Sequence, residues 1–258
     1  GIPHMDLNEQ LARYGLFFPP DPGANATIGG MLANNAAGIR TVKYGASKDN
    51  VLRMQVALAD GRLITVGSRS IKQSSGYNLL SLFVGSEGTL GVITEATLKL
   101  VPVPEHQVAA IAGFPSVDAA IETVVAVRGS GIDVAALEFI DETNTRALNE
   151  AGTDIEALPT LLMEIHSTHE DTVRADIDML RDICEDAGAA SFKATSDHAE
   201  RKTLWHARHV AYETLVRNHP GQHIFIMDVA VPISAYPELI AYSRQTMDQH
   251  GIAGYMKG

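Results

Sequence analysis

The stretch GSEGTLGVITEATLKLVPVPE, Gly85 to Glu105, carries glycine at 85, 88 and 91 before running into an alternation of β-branched and polar residues closed by Pro102 and Pro104. Glycine permits positive φ and lets backbone N–H groups approach a bound group with no Cβ in the way. VITEATLKLV has the period-two pattern of a half-buried strand. The pairing predicts a bare loop held in place by a strand, and the prolines place a boundary near residue 104. Upstream, VLRMQVALA and RLITV flank Asp60-Gly61, which predicts a hairpin with a tight two-residue turn. LNEQLARYG reads as a short helix stopped by Gly15, and FFPPDPG, with three prolines, excludes regular structure. Ile28 to Gly45 is rich in Gly, Ala and Asn, a small-residue surface laid against something else.

Beyond Pro104 short apolar strands alternate with amphipathic helices. Strands are expected near residues 107–114, 135–140, 160–166, 189–194, 223–231 and 252–256, with helix caps at Ser116, Asp141, Ser167, Ser196 and Ser234 and helix-ending glycines at 131, 188 and 251. A parallel α/β sheet and stacked antiparallel βαβ units both produce this string, and periodicity does not separate them.

With 258 residues and 45% hydrophobic content, the chain can bury one large core or two ordinary ones. No apolar run approaches the ~18 residues of a membrane span. Acidic residues outnumber basic ones by 31 to 20, for a net charge of -11, which opposes broad attraction to nucleic acid or anionic lipid. The lone Cys184 excludes an intrachain disulfide and a thiolate metal cage, and fits a reducing compartment. Residues 1–5, GIPHM, have the character of a cloning scar and are set aside in this reading.

Two glycine-rich stretches stand out, PDPGANATIGGMLANNAAG (Pro20 to Gly38) and GSEGTLGVIT. Neither has the Gly-Lys-Ser/Thr ending of a P-loop, and neither is a strand-to-helix GxGxxG followed by a distant acidic residue. Taken singly, each is better explained by tight turns than by a ligand; two within one hundred-residue domain weaken that reading, but spacing by itself names no ligand. The histidine pairs His206/His209 and His166/His169 have no third ligand at a metal-site spacing, so packing or surface roles are expected and no metal site is assigned.

The runs FFPPDPGANATIGGMLANNAAG, KYGASKDNVLRMQVALADGRL, GYNLLSLFVGSEGTLGVITEATLKLVPVPE, LWHARH and DVAVPIS, in this order, closely resemble FAD-linked D-2-hydroxyacid dehydrogenases. The likeness covers essentially everything after Met5 and is strongest to the D-lactate dehydrogenase (cytochrome) and glycolate oxidase flavoprotein branch. It implies an α+β chain. Residues 6–104 would form the second subdomain of a vanillyl-alcohol oxidase-type FAD-binding domain, and residues 105–258 a ferredoxin-like antiparallel substrate cap, truncated at its C-terminal side. By motif position, Asp21, Thr27, Gly29, Gly30, Gly38, Glu87, Gly88, Gly91 and Ile93 would contact FAD. GSEGTLGVI would line the adenosine side.

On the substrate side the resemblance assigns Arg208 of LWHARH to the carboxylate of a small 2-hydroxyacid, a bidentate task suited to a guanidinium fork. Without the family, a lone helical arginine reads as a solvated or salt-bridged side chain. Relatives acting on 2-hydroxyglutarate place a lysine where this chain has Ile226, which favours a monocarboxylate such as D-lactate or glycolate. The resemblance further implies hydride transfer to the flavin, a histidine base from a His-x-Gly-Asp-Gly-Asn-x-His motif beyond Gly258, and another FAD subdomain before Asp6. The segment is therefore expected to be inactive alone. An acceptor such as a cytochrome, quinone or electron-transfer flavoprotein is implied, with no nucleic acid partner, in the cytoplasm or at a membrane surface through that acceptor. The reading from a different class is a noncatalytic nucleotide- or subunit-binding module.

Overall fold

Residues 1–104 fold as α1 (His4–Ala12), β1 (Leu16–Phe17), α2 (Ile28–Asn34), α3 (Thr41–Tyr44), β2 (Val51–Ala57), β3 (Leu63–Gly67), α4 (Leu79–Phe83), β4 (Val92–Leu98) and β5 (Val101–Pro102) in the computed structural model, which describes residues 1–150 and 152–258. Contacts divide the chain into two units, Gly1–Pro104 and Glu105–Gly258. In the first, the antiparallel order is β3-β2-β4, with β1 and β5 as a separate pair. The alternation of β2 turns Met54 and Val56 to one face, where they pack with Val66, Met31, Leu32, Phe18 and Phe83. Each such burial is worth about 1.5–3 kcal/mol.

The hairpin between β2 and β3 forms at Asp60-Gly61, but its turn is longer than the two residues expected. The Leu58 N–H donates to Arg62 O at 2.8 Å and the Gly61 N–H to Leu58 O at 2.9 Å, so residues 59–61 make the bend. Gly61 is left-handed at φ 83, as a three-residue hairpin requires. The Asp60 carboxylate stabilises the bend by accepting from Arg62 N–H at 3.1 Å and Arg62 Nε at 2.6 Å.

Of the five residues set aside in the sequence reading, residues 2–5 take part in the fold, Met5 within α1. His4 is buried, Pro3 bridges Thr27, and Ile2 packs against the core and accepts from the Ile28 N–H.

The second unit contains β6 (His106–Gly113), α5 (Val117–Ser130), β7 (Val134–Ile140), α6 (Glu142–Glu150), β8 (Thr160–Ser167), α7 (Glu170–Asp186), β9 (Ser191–Thr195), α8 (His198–His209), α9 (Ala211–Asn218) and α10 (Tyr236–His250). Its sheet runs β7-β8-β6-β9 with every neighbour antiparallel. That order resolves the ambiguity left by periodicity: the β6-α5-β7 and β8-α7-β9 crossovers each skip over one strand of opposite direction, the ferredoxin-like arrangement, while β7 and β8, joined through α6, are direct neighbours. One face, with Ala110, Ala112, Leu161, Met163 and Phe139, is covered by the apolar stripes of α5 and α7.

Ser116 caps α5 and Asp141 caps α6, each through a backbone N–H three residues on. Gly131 and Gly251 end α5 and α10 in left-handed conformation. Asp197, rather than Ser196, caps α8 by accepting from the Glu200 N–H. No side-chain hydrogen bond from Ser167 or Ser234 caps α7 or α10, and a 3-10 turn over Ile233–Ala235 leads into α10.

Residues 223–231 form no strand, although their apolar content suggested one. Phe225 is 82% and Met227 77% exposed, and a strand needs a neighbouring edge to satisfy its backbone. Residues 252–256 likewise form no strand. The chain reaches the β7 edge only at Met256 to Gly258, where Lys257 bridges Ile140. Among the described residues, no helix is long and apolar enough to cross a membrane.

Cys184 lies fully buried on the sheet-facing side of α7, and burial pushes its thiol up to about 12. Because thiolate is the reactive form, iodoacetamide at pH 8 should leave native protein unlabelled and modify Cys184 only across the urea unfolding transition of this unit, as read by mass spectrometry. Stoichiometric labelling in plain buffer would show that α7 is not packed as described.

Candidate functional site

The two glycine-rich stretches of the first unit meet at α2. Thr27 caps this helix, its hydroxyl accepting the Gly30 N–H at 3.3 Å, and left-handed Asn35 at φ 50 ends it. The last carbonyls of a helix have no partner within it. Here the Gly85 N–H donates to Leu32 O and the Glu87 N–H to Ala33 O, both at 2.9 Å. Asn35 Oδ1 in turn accepts the Lys48 N–H at 3.0 Å. The loop after α4 is thus fastened to α2 by main-chain bonds, and Glu87 adopts φ 51, uncommon for a residue with a Cβ.

The predicted cofactor residues separate by what their missing or present side chains meet. A Cβ on Gly38 would lie 1.4 Å from the Asp21 carbonyl oxygen, and one on Gly91 2.6 Å from Val56 Cγ1. Those glycines are bare because the chain packs against itself. Gly30 is close only to its own cap, at 3.1 Å from Thr27 Oγ1, whereas Gly29 and Gly88 face nothing within 4 Å. Neither has a packing reason to be glycine. Gly29 sits in the first turn of a helix, where glycine costs about 1 kcal/mol relative to alanine; Gly88 requires glycine for its φ of 78. Asp21 turns its carboxylate to its own loop, accepting the Gly23 N–H at 3.3 Å with His4 Nε2 at 3.9 Å. Ile93 packs against the core beside Val56. The exposed part of the predicted set is Thr27, Gly30, Glu87 and Gly88; Gly29 is half-buried, with open space where a Cβ would stand.

In the second unit Arg208, on α8, donates from Nε at 2.7 Å and Nη2 at 2.5 Å to Oε2 of Glu138 on β7. Seven residues earlier on the same helical face, Arg201 Nη1 donates to Gln107 Oε1 at 2.7 Å and Glu164 Oε1 at 3.3 Å. His166 Nε2 lies 3.1 Å from the other Glu164 oxygen. Ala136 stands opposite Glu164 in the ladder, and Glu138 is two residues further along β7, so both carboxylates project from one face of the sheet. It is the face opposite the one covered by α5 and α7.

Lys257 joins the Glu138 group because it bridges Ile140, two residues beyond Glu138 on the same face. Partial burial holds its ammonium below the ordinary lysine value, with the Arg208 charge acting in the same direction and Glu138, Glu213 and Asp228 opposing. Tyr236 Oη, buried and without a hydrogen-bond partner among the described residues, is pushed up to about 12, first by burial and then by the Glu138 charge. A cavity of about 470 Å³ opens between α7 and the start of β6; Arg201 and Gln107 line it and Arg208 does not. Among the described residues no three His, Cys, Asp or Glu side chains gather as metal ligands.

Glu138 and Glu164 escaped the sequence reading, though a signal was present. Each is the lone acidic residue in an apolar strand, VAALEFI and TLLMEIHS, and a buried carboxylate demands a cation. The i, i+7 pair Arg201 and Arg208 supplies it.

Comparison with known proteins fits this architecture. The family described as FAD linked oxidases, C-terminal domain, matches residues 103–258, and the FAD binding domain family matches residues 1–67. A probable D-lactate dehydrogenase, mitochondrial, of Danio rerio is 38% identical across 100% of this chain and 52% of its own length. A D-lactate dehydrogenase [cytochrome], mitochondrial, of Arabidopsis thaliana is 40% identical over 96% of this chain and 44% of its own length. A glycolate oxidase subunit of Bacillus subtilis is 36% identical over 93% and 52%. The chain thus spans about half the length of these relatives. Among solved structures, an alkyldihydroxyacetonephosphate synthase superposes with a TM-score of 0.66 at 21% identity, covering 83% of this chain and 42% of its own, a likeness of fold alone. With its C-terminal unit matched over residues 103–258 and a relative 38% identical along its whole length, the chain belongs to the FAD-linked oxidase family.

Proposed function

We propose that this chain is the FAD-contacting and substrate-contacting portion of a D-2-hydroxyacid dehydrogenase acting on D-lactate or a glycolate-like monocarboxylate. The observation that carries the reading is the similarity to D-lactate dehydrogenases over 96–100% of the chain. FAD, when bound, supplies the acceptor for the hydride leaving the substrate Cα. In this reading the backbone at Gly29, Gly30, Glu87 and Gly88 approaches the cofactor, and Thr27 holds the first turn of α2 in position. Gly38, Gly91, Ile93 and Asp21 support that backbone. Arg208 binds the substrate carboxylate through its guanidinium and so fixes the direction of the Cα–H bond. The hydroxyl proton passes to a histidine base outside this segment, and the electrons leave to a cytochrome, quinone or electron-transfer flavoprotein. Two relatives carry the word mitochondrial in their names, so a cytoplasmic site is not a property the family shares. The noncatalytic alternative predicts no bleaching of bound flavin by any 2-hydroxyacid.

Purified protein from the whole reading frame that contains this segment should be yellow and should bleach with D-lactate and not with L-lactate. Residues 1–258 alone should not turn over. Colourless protein, or flavin indifferent to D-lactate, overturns the substrate assignment, and turnover by the segment alone overturns its predicted inactivity.

Two glycines separate cofactor contact from folding in that same protein. Gly29→Ala should raise stability by about 0.5–1 kcal/mol in urea denaturation and weaken FAD binding about tenfold, roughly 1.4 kcal/mol. Gly38→Ala should lower stability by about 1–3 kcal/mol or more by overpacking. Unchanged FAD affinity in the stabilised Gly29→Ala protein removes Gly29 from the cofactor site.

A further inference from the structure

We infer that Glu138 is a positioning residue for substrate recognition, one that aims the Arg208 guanidinium and selects which of its edges a substrate carboxylate meets. The inference rests on the reading of Arg208 proposed above and concerns a residue outside the family-derived site set. A guanidinium presents two bidentate edges, Nε with Nη2 and Nη1 with Nη2. Both Arg208 donations to Glu138 fall on the first, at 2.7 and 2.5 Å and to the same carboxylate oxygen. This occupies one edge and leaves the Nη1–Nη2 edge as the one able to take a second carboxylate pairwise.

Three further observations make Glu138 more than a passing surface partner. It is 8% exposed, on a strand bonded along its length to β8, so its carboxylate is fixed by the sheet rather than by a flexible loop. The helix carrying Arg208 is held a second time, two turns earlier, by Arg201 on Glu164; with both ends tied, α8 has little freedom to roll. Finally, Lys257 reaches the same face through its bridge to Ile140. One carboxylate thus stands beside two cations, Arg208 and Lys257, with the exposed Glu213 and Asp228 acting on Lys257 from outside. Glu138 offsets part of the repulsion that Arg208 exerts on Lys257, and it does so from a fixed position on the sheet.

The test is a double-mutant cycle on the flavoprotein from the whole reading frame, with steady-state kinetics on D-lactate and thermal melting as a check of folding. Glu138→Gln preserves shape and removes charge; it should raise KM about tenfold with kcat changed less than about threefold, the pattern of lost substrate binding. In an Arg208→Gln background the same change should move KM less than about twofold, because its effect is routed through Arg208. An equal KM increase in both backgrounds, or none beside intact Arg208, overturns the positioning role. If Arg208→Gln itself leaves KM unchanged, the substrate reading of Arg208 fails, a result distinguishable from failure of Glu138 alone. Should Glu138→Gln fail to fold, Glu138→Asp, which keeps the charge and draws it back by one methylene, replaces it in the cycle and is judged by the same KM changes.

Discussion

Two carboxylates buried in apolar strands govern the layout of the second unit. Glu164 is 1% exposed and Glu138 8% exposed, each flanked by residues such as Leu162, Phe139 and Ile165 that bring no polar compensation. An isolated ionised carboxylate in such surroundings is costly, and removing the partner of a buried pair costs about 3–5 kcal/mol. The sheet therefore needs a cationic element across this face, and α8 meets the need with arginines two turns apart. The other face follows ordinary hydrophobic rules, with α5 and α7 closing over alanine, leucine and methionine. One sheet thus has an apolar side that supplies stability and a polar side that dictates geometry.

The first unit depends on a different constraint, the satisfaction of main-chain carbonyls at the end of α2. Gly85 and Glu87 donate there, and a shift of the loop they belong to would strip Ala33 O of its Glu87 donor and leave Leu32 O only the longer 3.3 Å bond from Asn35. Such donation fixes the positions of Gly29 and Gly88 relative to each other within the unit, since both belong to segments anchored on one short helix. Positioning by backbone hydrogen bonds suits a surface made of glycine, which has no side chains with which to lock itself.

The sequence made the four paired strands of the second unit and some helix ends legible because their signals are local: period-two apolar alternation, the caps Ser116 and Asp141, the left-handed glycines 131 and 251; Ser167, Ser196 and Ser234 offered the same local signal and do not cap. It could not separate parallel from antiparallel arrangement, since strand order is a long-range property. Residues 223–231 show the limit from the other side. Their composition favours a strand, yet pairing depends on an edge that composition does not describe. The glycine motifs were legible as motifs, but not as contacts: Gly38 and Gly29 look alike in the string, while one abuts the Asp21 carbonyl and the other faces open space. Arg208 was singled out by resemblance, and Glu138, separated from it by 70 positions, was visible only as a lone acid in an apolar run.

The placement of Lys257 shows how such a cluster arises from backbone geometry rather than from attraction between its charges. Asp141 accepts the Met256 N–H at 2.7 Å, and Asn144 Nδ2 donates to Met256 O at 2.9 Å. Main-chain bonds between Phe139 and Gly258 complete a short extension of the β7 edge. Residues facing each other across such a bridge project to the same side, so once Met256 and Gly258 are fastened, Lys257 must emerge beside Ile140 and close to Glu138. Burial raises the Asp141 pKa despite the donors that lower it. A native-state pKa above the ordinary value means the folded protein binds this proton more tightly than the unfolded chain does. The contribution of Asp141 to stability is therefore full below its unfolded pKa and is lost as pH rises through the folded value. The clip is held by the geometry of its hydrogen bonds, and the cation beside Glu138 is delivered by strand register.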